Sequence, residues 1–344
     1  MTDIAAPVDI VPGQTWEIDL LRPEDAIGVV RLFRTVYGEG YPVQAFMDPE
    51  ELIRANAEKR IISSVVRTPS GDIVGHNAMF QSAPYHRIYE AGAGLVHPLY
   101  RSGGIVGKAV AHGRDLAADT FGLDALFGES VCNHIHMQKV VLGLGGITCA
   151  IEVDLMPAEA YTREQSAPGR VSALMDYICL KKTEKQVFIP DECRNFFHMV
   201  YSEYPEIRHL KPSADDVPSH LKTELSTSFF EFAGVARITL QAAGQDLAEA
   251  LNLAENRVLT QGATVIQVWA NLSWPWIGRI VHLLHEKGYF SGGVLPRWFD
   301  DDGILMQKLC TPPDWESIRL HADRAKQILE FVREDYRQFC SGKR

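Results

Sequence analysis

The residues best suited by type and spacing to do chemistry lie between Glu90 and Lys108. Glu90 sits on an apolar stretch, Tyr89 to Val96, that reads as a strand. Burial among Ala91, Gly92 and Leu95 raises a carboxyl pKa and suits it to take a proton from a reacting group. Eleven residues on, Arg101-Ser102-Gly103-Gly104 forms a glycine-rich turn. A helical pattern follows it, with Ile105, Val106, Ala109, Val110, Leu116 and Ala117 on one face. Such a turn at a helix start grips anions. The first-turn amides have no intrahelical partner, the helix dipole favours negative charge, and the glycines let a bulky group approach. A strand feeding such a turn at the head of a helix is a device for gripping phosphates.

Two familiar phosphate loops do not fit. A Walker A loop needs G-x-x-x-x-G-K-[ST]. Gly103-Gly104-Ile105-Val106-Gly107-Lys108-Ala109 is one residue short and ends on Ala109, which has no hydroxyl for magnesium. A dinucleotide fingerprint needs G-x-G-x-x-G opening a helix. Gly92-Ala93-Gly94-Leu95-Val96-His97 lacks the third glycine and lies inside a strand.

Val96-His97-Pro98-Leu99-Tyr100-Arg101, running into Arg101-Ser102-Gly103-Gly104-Ile105-Val106, resembles motif A of the GNAT superfamily of acyl-CoA-dependent N-acyltransferases. That pattern is V-x-P-x-Y-R followed by [QR]-x-x-G-x-[GA]. The chain departs from it at Val106, where Gly or Ala is expected. The resemblance implies an α/β (α+β) GNAT fold, a mixed central sheet flanked by helices, over about residues 14–157. It implies acetyl-CoA or another acyl-CoA as co-substrate, and a cradle formed by Arg101, Ser102, Gly103, Gly104, Ile105, Val106, Gly107 and Lys108. Backbone amides of Leu95 and Val96 would pair with the pantetheine arm, and Asn133 would contact the same cofactor. Glu90 stands where the family places a general base. The tyrosine that many members use as the acid is missing after the next strand, where the chain reads Asn133-His134-Ile135-His136-Met137-Gln138. His134, Cys132 or water would serve instead.

No metal site is expected. His134 and His136 are two apart on an expected helix and would not face each other, and no third ligand is evident. Asp300-Asp301-Asp302-Gly303 reads as a polar turn. Trp269, Trp274, Trp276, Phe290, Trp298 and Phe299 read as core, with a cleft lining as the sharper reading.

The elements that must position these groups follow from periodicity and punctuation. A strand over 16–21 precedes a helix to about Tyr37 and a second helix over 48–59. A hairpin of 61–67 and 72–81 follows, then the Glu90 strand and the motif helix. A strand at 125–132, a helix at 135–144 and a strand at 147–155 complete the first half. Residues 158–185 read as a connector with a helical or irregular centre, ending in the charged run Lys181 to Lys185. Beyond it lie a helix at 192–201, a strand at 229–240, a helix at 245–259, a strand at 264–270 and a helix at 275–287. A hairpin of 289–295 and 304–309 turns across Asp300–Gly303, and a single helix covers 313–340. This half echoes the first: Asn133, helix, glycine, strand and Leu155-Met156-Pro157 are matched by Asn271, helix, Gly288, strand and Leu295-Pro296. Gln241-Ala242-Ala243-Gly244-Gln245-Asp246 shadows the motif turn, with Asp246 set to repel a diphosphate. The expected domains are a GNAT domain at 14–157, the connector at 158–185, a degenerate GNAT-like domain at 186–312 and a C-terminal helix at 313–344.

The whole chain, 344 residues with 46% hydrophobic and 23% charged residues, has a globular composition of about two domains. A net charge of −10 disfavours nucleic acid and anionic membranes as partners and suits an amine acceptor, small molecule or protein. The six cysteines are scattered without metal spacing, as in a reducing compartment. No apolar run reaches the roughly 20 residues needed to span a bilayer. MTDIAAPVDIVPGQ lacks the features of a signal peptide and reads as a loose arm. The expectation is a cytoplasmic acetyltransferase, with a homodimer allowed. The rival is a non-catalytic module that senses acyl-CoA or binds a protein.

Overall fold

The computed structural model describes residues 10–161 and 169–340. Most of the expected N-terminal arm, the middle of the connector and the last residues of the tail lie outside the described residues. The chain divides into two compact units, Met1–Gly128 and Glu129–Arg344, and the boundary falls inside a strand.

The first unit opens with β1 (Glu17–Leu20), α1 (Ala26–Tyr37) and α2 (Pro49–Ala57), then β2 (Ile61–Arg67), β3 (Ile73–Phe80) and β4 (Ile88–Val96). Next come α3 (Ile105–Ala117) and β5 (Ala125–Val131), which runs into the second unit. The strand order is β1-β2-β3-β4-β5, antiparallel except for the parallel pair β4 and β5. α1 forms because Ala26, Val29, Val30, Leu32 and Phe33 recur at helical spacing and are buried. α2 starts where Asp48 accepts from the amides of Glu50 (2.9 Å) and Glu51 (3.3 Å), with Pro49 in the first turn. Phe33, Phe46, Leu52, Val65, Ala78 and Leu95 fill one core cluster, between the sheet and α1–α2. Val66, Val74, Val96, Tyr100, Ile105 and Ala109 fill another, under α3.

The second unit continues with α4 (His136–Gly143), β6 (Ile147–Met156), β7 (Val171–Cys179), β8 (Glu184–Ile189), α5 (Arg194–Ser202) and β9 (Ile207–Pro212). It goes on through β10 (Glu224–Phe230), β11 (Val235–Ala242), α6 (Leu247–Thr260), β12 (Val265–Asn271) and α7 (Ile277–Glu286). β13 (Phe290–Phe299), β14 (Asp301–Leu309) and α8 (Asp323–Phe339) complete it. The order here is β7-β6-β13-β14-β12-β11-β10, with β8 and β9 forming a separate parallel pair. β6 meets β13 through Ala150 and Gly293. A Cβ on Gly293 would lie 2.5 Å from the Cys149 carbonyl oxygen, so only glycine permits this join. β11 runs parallel to β12, and β14 lies between β12 and β13. The earlier strands repeat this, with β4 parallel to β5 and β7 next to both β5 and β6.

Four expectations about elements change. The centre of the connector is not helical or irregular: Val171–Cys179 is a strand, β7, laddered to β6 and almost wholly buried. The charged run ends inside β8, where Lys185 pairs with Asp300 (3.3 Å) and Asp301 (3.6 Å). The expected strand over 229–240 is two strands, because the chain reverses between Phe230 and Val235. The last helix starts only at Asp323. Before it, the backbone of Arg319 and His321 is already committed: the Arg319 amide donates to the Cys132 carbonyl (2.8 Å) and the His321 amide to Gln138 Oε1 (2.9 Å).

Asp300–Gly303 is not a simple turn either. Asp300 takes the reversal with φ of 70°, and β14 starts at Asp301. The Asp302 carboxylate is buried and accepts from the Tyr201 hydroxyl (2.8 Å), Arg208 Nε (2.7 Å) and the Arg297 amide (2.9 Å). Trp269, Phe290 and Trp298 are buried, with Trp269 and Trp298 meeting edge to face at 4.9 Å. Trp274 and Trp276 are half-buried and stack at 6.3 Å.

Candidate functional site

The motif segment delivers a bare turn. Pro98–Gly103 winds as a 3-10 turn, Gly104 takes the left-handed conformation (φ 66°), and α3 begins at Ile105. Left-handed backbone favours glycine strongly, which explains the second glycine of the pair. A side chain added at Gly104 would meet nothing within 4 Å, and one at Gly103 would touch only Ile105 at 3.6 Å. The first helical bond of α3 is Lys108 N–H to the Gly104 carbonyl (3.2 Å), leaving the amides of Ile105, Val106 and Gly107 ahead of it without intrahelical partners. Arg101 is exposed and has no hydrogen bond or ion pair among the described residues. The side chain of Ser102 lies outside the described residues. Lys108 leans over the Trp16 ring, 4.7 Å from its centre. Ile105 points into the core and offers only its backbone.

β4 is shaped to leave an edge open. Its ladder to β5 covers Ile88–Glu90 against Ala125–Phe127 and no further. Across β3, His76 pairs with Leu95 but Ala78 with Gly92, so β4 carries an extra residue, and Ala93 takes φ of 50°. This bulge is held from β3. His76 Nδ1 donates to the Ala93 carbonyl (2.9 Å), and His76 Nε2 accepts from Ser63 (3.0 Å). Burial pushes the His76 pKa down to about 4, which keeps the ring neutral near pH 7 and leaves Nε2 to accept. From Ala91 on, β4 thus has backbone amides and carbonyls free of a ladder on its β5 side. Leu95 and Val96 bury their side chains in separate core clusters and present backbone alone.

Glu90 is partly buried. Its Oε2 accepts from Ser82 (2.7 Å), and its Oε1 lies 3.3 Å from where a Gly92 Cβ would stand. Sequence reasoning missed its neighbour Tyr41, in the loop after α1. Burial, then the charges of Tyr37 and Glu90, hold the Tyr41 phenol well above the usual tyrosine range, so it stays protonated. Tyr41 packs with Phe33 (4.8 Å) and Tyr37 (4.9 Å). Its only sequence signal is the Tyr37-Gly-Glu-Gly-Tyr41 spacing before α2, which no periodicity marks as chemical. Val106, the departure from the motif, packs toward β4: its Cγ1 lies 3.6 Å from the Cβ position of Gly94.

The remaining predicted residues, Asn133 and His134, belong to the second unit. Asn133 is buried. His134 precedes α4 rather than riding on it, and its ring lies 5.2 Å from that of His136, so the two do face each other, contrary to the helical expectation. Among the described residues no three His, Cys, Asp or Glu side chains gather as a metal site. Cys132 is buried, and burial raises its thiol far above the usual range, which argues against it as an acid.

The second glycine turn is closed by its own chain. A Cβ on Gly244 would lie 2.3 Å from the Leu221 carbonyl oxygen. The Gly244 amide donates to Thr223 Oγ1 (3.1 Å), and Asp246 accepts from the Thr223 amide (2.8 Å). At the third rung of their parallel ladders, β4 places Glu90 against Phe127, whereas β11 places Arg237 against Gln267.

Comparison with known proteins gives similarity at the level of structure. No family model matches the chain, and no curated protein matches it. The ribosomal-protein-S5-alanine acetyltransferase of Vibrio fischeri is similar over 49% of this chain and 97% of its own, with 15% identity and a TM-score of 0.39. A putative acetyltransferase from Salmonella typhimurium, solved with acetyl-CoA, is similar over 49% and 96%, with 12% identity and a TM-score of 0.40. A putative GNAT-family acetyltransferase from Desulfovibrio desulfuricans is similar over 48% and 99%, with 14% identity and a TM-score of 0.36. The likeness is to GNAT acetyltransferases. The mixed α/β architecture, and the order of elements from β1 to β6, are those the motif resemblance implied. No helix among the described residues is long and apolar enough to cross a membrane.

Proposed function

We propose that the chain transfers an acyl group, acetyl in the simplest case, from acyl-CoA to an amine. The observation that carries this reading is the open Gly103–Gly104 turn at the head of α3, next to a β4 edge that has lost its ladder. The amides of Ile105, Val106 and Gly107, with Arg101 at the rim, would hold the diphosphate. The free backbone of β4, Leu95 and Val96 included, would align the arm toward Glu90. From Glu90 to Val96 the strand runs about 20 Å at ~3.3 Å per residue, so cradle and base lie at opposite ends of an extended site. Glu90 would take the amine proton as nitrogen attacks the thioester carbonyl. A β4 amide would donate to the oxygen that gains charge, and Tyr41, protonated and close to Glu90, is the better placed acid in the first unit. The second half would be a GNAT-like copy without donor binding, since its turn is filled by Leu221–Thr223 and Arg237 stands where Glu90 does in the first.

A second reading is favoured by Val106. Its side chain narrows the approach to Gly94, which suits a module that binds acyl-CoA without turning it over.

Calorimetric titration of CoA tests the donor site. The native protein should give saturable heat, lost in Arg101→Glu and Gly103→Glu. Gly103 is preferable to Gly104 for this variant because no left-handed backbone strain is added. Equal heat from all three proteins ends the reading. CoA release from acetyl-CoA across a panel of amines then separates enzyme from sensor.

A further inference from the structure

The second unit contains a cavity of about 320 Å³ that takes no part in the transfer proposed above. Asn133, Arg170, Ser172, Asp314, Glu316 and Arg319 are among its lining residues. Its volume is at the small end of ligand pockets, the scale of an amino acid or dipeptide.

Its walls are fixed. Gln138 is buried, donates to the Arg319 carbonyl (2.9 Å) and accepts from the His321 amide (2.9 Å), while the Arg319 amide donates to the Cys132 carbonyl (2.8 Å). The segment carrying Arg319 is therefore pinned to the end of β5 and to α4 through its backbone, which leaves its side chain uncommitted. The Arg319 guanidinium has no hydrogen bond or ion pair among the described residues. Arg170 is locked by three carbonyls: Nε donates to Asp154 (2.7 Å), and Nη2 to Leu155 (3.0 Å) and Ala233 (2.7 Å). Those bonds set the plane of the guanidinium and leave Nη1 without a partner among the described residues. No carboxylate bonds directly to it. Two arginines with donors to spare thus line one small cavity, a fit for the planar oxygens of a carboxylate.

The same cavity carries negative charge. Asp314 accepts from the Glu316 amide (3.2 Å); burial first, and the charge of Asp314 after it, raise the carboxyl of Asp154. Glu316 reaches Arg333 at 3.6 Å. A phosphate dianion would meet these carboxylates at a cost, whereas an ammonium group would be attracted to them.

We propose that this cavity binds a small amino carboxylate, a free amino acid or a dipeptide, with the carboxylate on Arg170 and Arg319 and the ammonium toward Asp314. The site lies wholly in the second unit and stands whether or not the acyltransferase reading does.

Thermal melting of the full chain with the standard L-amino acids and with glycyl dipeptides, each at millimolar concentration, tests it. At least one should raise the melting temperature saturably. Its decarboxylated amine and its N-acetylated form should not. Arg319→Glu and Asp314→Lys, both at exposed side chains, should each weaken affinity about tenfold or more, as expected for loss and reversal of a charged contact. CoA heat measured in the same variants should be unchanged, which keeps this result separate from the donor site. No shift with any amino acid or dipeptide overturns the proposal. Equal binding of the decarboxylated amine, or unchanged affinity in either variant, does so too.

Discussion

Glu90 has the three properties a proton acceptor needs: a fixed rotamer through Ser82, partial burial, and a glycine two residues on that leaves room above it. Glu90→Gln should therefore lower turnover by about 10² to 10⁴-fold while CoA heat stays unchanged, the signature of a lost base rather than lost binding. Tyr41→Phe should lower turnover less than Glu90→Gln does, again with CoA heat unchanged. His76 makes a stability prediction. Its folded pKa, about 4, lies below the unfolded value near 6.5, so the unfolded chain takes up more protons between them. The stabilisation is present above about pH 6.5 and is lost as pH falls toward 4, amounting to about 3 kcal/mol. Urea unfolding at a series of pH values should show this slope, and His76→Gln should flatten it. The place of Glu90 on β4 was legible in the sequence because its distance from Val96-x-Pro98-x-Tyr100-Arg101 is set by one strand. Tyr41 was not, because its proximity to Glu90 depends on how the loop after α1 folds back across the sheet.

Single elements divide in the same way. α3 announces itself with Pro98, the glycine pair and a clean apolar face, and its observed start is the expected one. β7 is hidden because Val-Ser-Ala-Leu-Met-Asp-Tyr-Ile-Cys is buried on both faces and shows no period of two. The delayed start of α8 depends on Gln138, a residue 183 positions away from His321, and no local signal carries that. The two glycine turns give a paired test. Gly104→Ala should cost about 1 kcal/mol, from left-handed backbone alone, since the space is open. Gly244→Ala should cost more, about 1–3 kcal/mol, because its Cβ would collide with the Leu221 carbonyl. Denaturant midpoints with unchanged slope would measure both. The reverse ranking would contradict the filled turn.

At the scale of the molecule, buried charge is concentrated in the second unit. Asp302, Arg208, Tyr201 and Glu206 tie β14, β9 and the end of α5 together, with both members of the Arg208–Asp302 pair shielded from solvent. Asp302→Asn should cost about 3–5 kcal/mol, since it strands a buried guanidinium. Replacing both partners by apolar residues should cost less. Glu152, on β6, is fully buried against Arg237 and Gln267, and burial followed by the charge of Glu129 raises its pKa to about 8. The sign is opposite to that of His76. The folded state holds the proton more tightly, so this contribution is complete below about pH 4.5 and declines as pH rises toward 8. Glu152→Gln should remove that decline in unfolding measurements over the same window. The pairings of Asp302 with Arg208 and of Glu152 with Arg237 and Gln267 could not be read from the chain, because each partner lies on a strand far away in sequence. What could be read was the echo in sequence between Asn133–Pro157 and Asn271–Pro296.

The bend at Gly244 still has its glycine. What fills it is a short stopper of backbone, Leu221 to Thr223. Opening this turn to an anion would take no new glycine, only a looser stopper and a neutral residue in place of Asp246. Two glycine turns of similar sequence can therefore differ in openness through a neighbouring strand of chain, while the turn itself stays intact.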